Sequence, residues 1–145
     1  MAMGNISIRK MARRDKAIVL KIVSESKYLE IPPRRVNHYL KETEYLPFAI
    51  ELEGVAIGFS IIKKNCPQPK ILTINALALK KEYRHKGIGM KSLNMIIGMA
   101  RKEFGIRVVR VKIEPGNKQA IAYIKKAGFK EEKIGGKGEF VKIID

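Results

Sequence analysis

One junction constrains this chain more than any other stretch. Residues 71–79, ILTINALAL, are apolar enough for a buried strand. Downstream, Leu93, Ile96, Ile97, Ala100 and Phe104 recur at the spacing of a helix. The turn between them, Arg84-His85-Lys86-Gly87-Ile88-Gly89, therefore ends a strand and opens a helix. Two glycines at a helix start let the backbone approach a ligand closely. Unpaired N–H groups and the helix dipole make that ligand an anion, most often a phosphate. Arg84, His85 and Lys86 agree with an anion. The competing reading is an ordinary turn with a solvated basic face, because a lone GxG carries little information. The dinucleotide fingerprint is excluded by its missing third glycine, and a Walker loop by the lack of Gly-Lys-Ser or Gly-Lys-Thr.

The bulk properties set bounds on the rest. A length of 145 residues suits one domain, residues 1–145. No apolar run approaches the ~20 residues of a membrane helix. The first residues show no signal-peptide core, so the expectation is a cytoplasmic protein without a membrane partner. Cys66 is the only cysteine, which excludes an internal disulfide, and its loop, KKNCPQPK, reads as the site of a spare thiol. No Cys/His set supports a metal. The charge is unusual: 30 Lys and Arg against 14 Asp and Glu, a net +16. Such a field attracts nucleic acid or phosphorylated ligands.

In chain order, residues 6–9 alternate as a first strand. Asp15 precedes an amphipathic helix bearing Ile18, Val19, Ile22 and Val23. Pro32-Pro33 opens a short helix with Val36, Tyr39 and Leu40 on one face. After a break at Pro47, Phe48, Ile50 and Leu52 alternate, Glu53-Gly54 turns, and Val55, Ile57, Phe59 and Ile61 alternate back as a hairpin. A loop over residues 65–69 leads to the central strand and the long helix. Residues 107–113 read as another strand. Asn117 then caps a helix that Gly128 ends, and a last hairpin turns at Gly135, Gly136 and Gly138.

The resulting order, β-α-α-β-β-β-α-β-α-β-β, resembles the GCN5-related N-acetyltransferases, the GNAT superfamily. That family's central motif is Arg or Gln, two residues, Gly, any residue, then Gly or Ala. It stands here as residues 84–89. The second motif is Asn, two residues, Ala and a terminal Gly-Phe, matched by Asn117, Ala120, Gly128 and Phe129. The opening IRKMARRDKAIVLKI is similar to the family's first strand and helix, with Asp15 where an Asp is common. The resemblance implies an α/β (α+β) GNAT fold. Its central mixed, mostly antiparallel sheet would be splayed between strands 4 and 5, with helices on both faces.

The resemblance also implies acetyl-CoA as acyl donor, bound in the splay. The pyrophosphate would rest on Arg84, His85, Lys86, Gly87, Ile88 and Gly89, as the turn alone suggests. The pantetheine arm would pair with Leu77, Ala78 and Leu79 as if adding a strand. The Leu79 N–H would meet the thioester oxygen. Asn117 would touch the pantetheine or cap its helix. Lys80, Lys81, Lys86 and Lys91 either attract the remaining phosphate or are solvated.

The catalytic positions depart from the family pattern. Counting from Asn117, the usual tyrosine, candidate acid for the leaving thiolate, falls at Ile124. Tyr123 stands one place earlier, ~100° round the helix. It remains the candidate acid and a cofactor contact, with a core aromatic as the alternative. The fifth-strand glutamate of ribosomal-protein N-terminal acetyltransferases falls at Lys112, and the fourth-strand glutamate of histone-type members at about Thr73. Glu114 shares the strand face of Lys112 and is the candidate base. Glu51 and Glu53 are others, and each of the three also reads as a surface carboxylate.

Without a strong base the acceptor matters. An α-amine, pKa ~7.8, is about one-eighth neutral at pH 7, whereas a lysine amine is neutral in less than about one part in a thousand. An α-amine of a protein or peptide is therefore favoured. The resemblance places the acceptor near the first two helices and the last hairpin, where Tyr28, Arg34, Arg35, His38 and Tyr39 stand. A basic rim fits an acidic peptide, a ribosome-associated protein or aminoacyl-tRNA better than a polyamine. A homodimer is compatible with all of this. Two other readings stay open: a basic nucleic-acid- or ribosome-associated protein, marked by salt-dependent RNA binding, and a CoA-binding module without turnover.

Overall fold

Alternation and helical periodicity translate into a seven-stranded sheet with two helices on each side. The computed structural model describes residues 4–41, 44–64, 70–132 and 138–144. The elements are β1 (Ile6–Lys10), α1 (Lys16–Ser24), α2 (Pro33–Lys41), β2 (Tyr45–Leu52), β3 (Val55–Lys64), β4 (Ile71–Leu79), α3 (Ile88–Phe104), β5 (Val108–Lys112), α4 (Lys118–Lys126), β6 (Lys130–Glu131) and β7 (Glu139–Ile143). The sheet order is β1-β2-β3-β4-β5-β7-β6. Every pairing is antiparallel except β4 with β5. This is the expected mixed, mostly antiparallel GNAT architecture.

The central strands are buried from both sides, and successive residues serve opposite cores. Ile61 packs with Val19, Ile22, Val36 and Tyr39 under α1 and α2. Its neighbour Ile62 packs with Leu93, Ile96 and Ile97 of α3 and Ile124 of α4. Burying each such side chain contributes about 1.5–3 kcal/mol.

The turns follow their chemistry. Glu53 and Gly54 both have positive φ, 51° and 80°, the pairing a tight two-residue hairpin needs. Asn117 caps α4 through Oδ1, which accepts from the Ala120 N–H at 3.2 Å. β2 begins at Tyr45, two residues before Pro47, where the sequence suggested a break. Pro47 fits because its backbone faces the end of β1, where only an acceptor is used: its carbonyl takes the Met11 N–H at 2.9 Å. The loop around Cys66 and the turn at Gly135 and Gly136 lie outside the described residues.

β4 and β5 pair only from Ile71↔Val108 to Ile74↔Val111. Beyond that point β4 runs on to Leu79 while β5 diverges. The register of β4 on β3 shifts after Ile74, leaving Asn75 as the extra residue of a bulge. The sheet therefore opens into a V at its centre, as expected.

Candidate active site

The V has two walls, β4 with the start of α3 on one side and β5 with α4 on the other. The Lys80 N–H donates to Ile57 O of β3 at 2.8 Å. Backbone groups alternate along a strand, so Ala78 also faces β3, while Leu77 and Leu79 point theirs into the V. Of the three strand residues singled out from the sequence, two thus offer hydrogen bonds to a ligand there.

A short 3-10 turn, Lys81–Tyr83, leads to the basic loop. Arg84 is tied inward: its Nε donates to Leu79 O at 3.0 Å and its Nη2 to Ser26 Oγ at 3.3 Å. It braces the turn rather than standing free. His85 has φ +62° and Gly87 +81°, two left-handed residues in one short loop. Such a backbone turns successive N–H groups toward one concavity and suits an anion. Gly87 is the N-cap of α3 and offers no side-chain cap, so the first N–H groups of the helix have no side-chain acceptor there. Ile88 is buried and anchors that turn in the core with Ile6, Ile50, Ile57 and Leu79. Lys81, Lys86 and Lys91 are exposed around it, and Lys80 is half-buried.

Tyr123 closes the V from the opposite wall. A Cβ placed on Gly89 would lie 3.2 Å from the Tyr123 hydroxyl oxygen and 3.9 Å from Leu79 Cδ1. The phenol therefore sits against the first turn of α3. Its oxygen is buried without a hydrogen-bond partner among the described residues, and burial pushes its pKa up to about 12. Ile124, at the family's usual tyrosine position, is 5% exposed and packs with Phe129 and Phe140 in the core. The hydroxyl that reaches the V comes from Tyr123. The sequence offset alone could not show this, because the direction depends on how α4 beds onto the sheet.

Two side-chain contacts reach the β5–α4 wall from outside it. The Tyr28 hydroxyl donates to Gly116 O at 3.0 Å, and His85 Nδ1 lies 3.3 Å from Gln119 Nε2. Below the first contact is a groove of about 420 Å³ lined by Tyr28, Glu30, Tyr39, Asn75 and Glu114, among others. Glu114 is exposed there, and Tyr28 and Tyr39 are the two acceptor-region tyrosines foreseen from the sequence. Glu30 and Asn75 were not foreseen; the bulge that turns Asn75 outward has no clear sequence signal. The other carboxylates are engaged elsewhere, Glu51 with Arg9 at 2.9 Å and Glu53 with the Asn5 N–H at 2.9 Å. His38 and Arg35 form a cluster with Tyr39 and Tyr45 on α2 and β2. Among the described residues no three His, Cys, Asp or Glu side chains are grouped to hold a metal, and no helix is long and apolar enough to cross a membrane.

A splayed sheet, an anion-ready turn and an adjoining groove thus come together at one place. Consistent with this, the sequence profile of the acetyltransferase (GNAT) family matches residues 10–129, and the chain belongs to that family. An N-alpha-acetyltransferase of Sulfurisphaera tokodaii is 29% identical over 105 residues, covering 66% of this chain and 63% of that protein. The chain spans less than two thirds of the length of the curated relatives it matches. Among solved structures, an acetyltransferase from Thermus thermophilus superposes with a TM-score of 0.83 at 17% identity, covering 99% of this chain and 100% of that one. The PaiA N-acetyltransferase of Thermoplasma acidophilum, in complex with coenzyme A, gives 0.78 at 22% identity over 94% and 96%. At these identities the superpositions establish the fold.

Proposed function

We propose that this chain transfers an acetyl group from acetyl-CoA to the α-amine of a protein or peptide in the cytoplasm. The observation that carries this reading is the continuity of the V. The open backbone at Leu77 and Leu79 is followed, after the 3-10 turn Lys81–Tyr83, by the left-handed turn at His85 and Gly87. A pantetheine arm takes strand hydrogen bonds, and the pyrophosphate behind it takes helix N–H groups and lysine charge. The relative from Sulfurisphaera tokodaii supports an α-amine, and the coenzyme A complex of the Thermoplasma protein supports the donor.

In this reading the acceptor enters by the groove, and Glu114 takes a proton from it directly or through water. The neutral nitrogen bonds to the thioester carbonyl carbon. The charge developing on the carbonyl oxygen meets the Leu79 N–H. The nitrogen sheds its second proton to water, the carbon–sulfur bond breaks, and Tyr123, protonated at any physiological pH, gives its proton to the thiolate and regains one from water.

Isothermal titration with acetyl-CoA at moderate salt tests the donor, with dephospho-CoA and an RNA oligomer as controls. One-site binding, weakened at least tenfold by Gly87→Val, is expected, because a branched residue at φ +81° costs about 1–2 kcal/mol and shifts the turn. Salt-sensitive RNA binding with no acetyl-CoA binding would discard the reading. Peptide α-amines are then assayed against lysine side chains at pH 7. Equal rates on the two would remove the α-amine assignment.

A further inference from the structure

The sheet face under α1 and α2 is only partly covered. No residue of β5 or β7 joins the core beneath those helices. Val109 and Val111 of β5 pack toward α3 and α4, so Val108, Arg110 and Lys112 face the other way. The register extends that face: Val108, Arg110 and Lys112 lie opposite Ile143, Val141 and Glu139 of β7. Lys130 of β6 lies opposite Val141, and Lys63 of β3 opposite Thr73. Ile143 is 73% exposed, and Lys112 and Lys130 are exposed. Arg110 Nε is buried without a hydrogen-bond partner. Among the described residues no ion pair engages Arg110 or Lys112, while Lys63 lies 3.8 Å from Glu44.

This face continues the acceptor groove. Glu114 follows Lys112 on the same side of the chain and lines the groove with Glu30. From the residue just past β5 back along the strand the charges read acid, base, base: Glu114, Lys112, Arg110. They are spaced about 7 Å apart, the same advance an extended peptide makes in two residues. A cationic amine held at the acid end would lay its next side chains over the two cations.

We propose that Arg110 and Lys112, flanked by Lys63 and Lys130, form a track that docks an unstructured acceptor polypeptide carrying Asp or Glu within its first five residues. This rests on the N-acetyl-transfer reading above. A polypeptide suits the face better than a nucleic acid. Glu30, Glu114 and Glu139 would repel successive phosphates, and Val108, Val141 and Ile143 between the cations match side chains, not a uniform anionic backbone.

The test compares acetylation of peptides that share a first residue and differ at positions 2–5, which carry Asp or Glu, Ser, or Lys. Wild type is expected to favour the acidic peptide over the Ser peptide by about five- to tenfold in kcat/KM, carried in KM and shrinking as salt rises. Lys112→Glu and the double variant Arg110→Ala/Lys112→Ala bring that ratio to about one or below, and Lys112→Arg keeps it. Unchanged acetyl-CoA titration in these variants certifies a folded protein. Equal kcat/KM on all three peptides in wild type overturns the track and leaves acetyl transfer standing. Acetyl-CoA binding without transfer to any peptide overturns the underlying function instead. Displacement of the acidic peptide by an RNA oligomer of equal charge would overturn the track and reassign the face to nucleic acid.

Discussion

Tyr123 carries its hydroxyl to the first turn of α3 from a position one residue short of the family's usual tyrosine. The sequence supplied the candidate but not its direction. Ile124 settles that: a β-branched apolar side chain takes the core position beside Phe129 and Phe140, and this rotates its neighbour into the V. With the phenol pKa pushed up to about 12, Tyr123 stays protonated across the working range. Tyr123→Phe is expected to lower kcat by about a hundredfold. The wild-type pH–rate profile should rise as the acceptor amine deprotonates and show no falling limb from this tyrosine below about pH 11. An early alkaline limb that Tyr123→Phe abolishes would contradict the assignment. Because its folded pKa lies above the unfolded value near 10, any stability linked to this group is full below pH 10 and lost as pH rises toward 12.

Among the elements, one ionic knot fastens β1 to its surroundings. Arg9 grips both oxygens of Asp15 at 2.8 Å and Glu51 of β2 at 2.9 Å, while Asp15 also accepts from the Ala12 N–H at 2.8 Å. Asp15 is 3% exposed, and the Arg9 guanidinium holds its carboxyl below the usual carboxylate range. Asp15→Ala should therefore cost about 2–4 kcal/mol in urea unfolding at pH 7. The sign for a depressed carboxylate is clear: its stabilisation is present above about pH 4 and is lost as pH falls through the folded pKa. The gap between wild type and variant should thus narrow below pH 4, and a gap that persists undiminished at pH 2 would assign the loss to packing instead. Asp15 was visible in the sequence as a helix-start residue, but the knot was not: no periodic spacing links it to Arg9, and Glu51 joins from a strand far along the chain. The hairpin of β2 and β3 was legible from alternation and Glu53-Gly54. The start of β2 was not, because Pro47 reads as a break and is tolerated only where β1 ends.

Across the whole molecule, the N-terminal strands form one antiparallel meander, β1 to β4, and the C-terminal strands form a second small unit, β5 to β7. Strand order and the two motifs made this architecture readable in advance. The charge of +16 did not indicate where on the surface its cations would gather. The two units meet in the sheet through the brief parallel stretch from Ile71↔Val108 to Ile74↔Val111. That seam holds few ladder bonds, and the core shared by Leu72, Ile74, Val109 and Phe140 closes it from one face only. A donor lying in the V would span both halves, acting as a stitch across the seam as well as a reagent. Acetyl-CoA at a hundred times its Kd should then stabilise the fold by about 2.7 kcal/mol. It should slow amide exchange most at the β4 and β5 positions flanking the seam, and uniform slowing along the chain would deny it that role. A fold joined in this way would be most easily prised apart with no donor in its V.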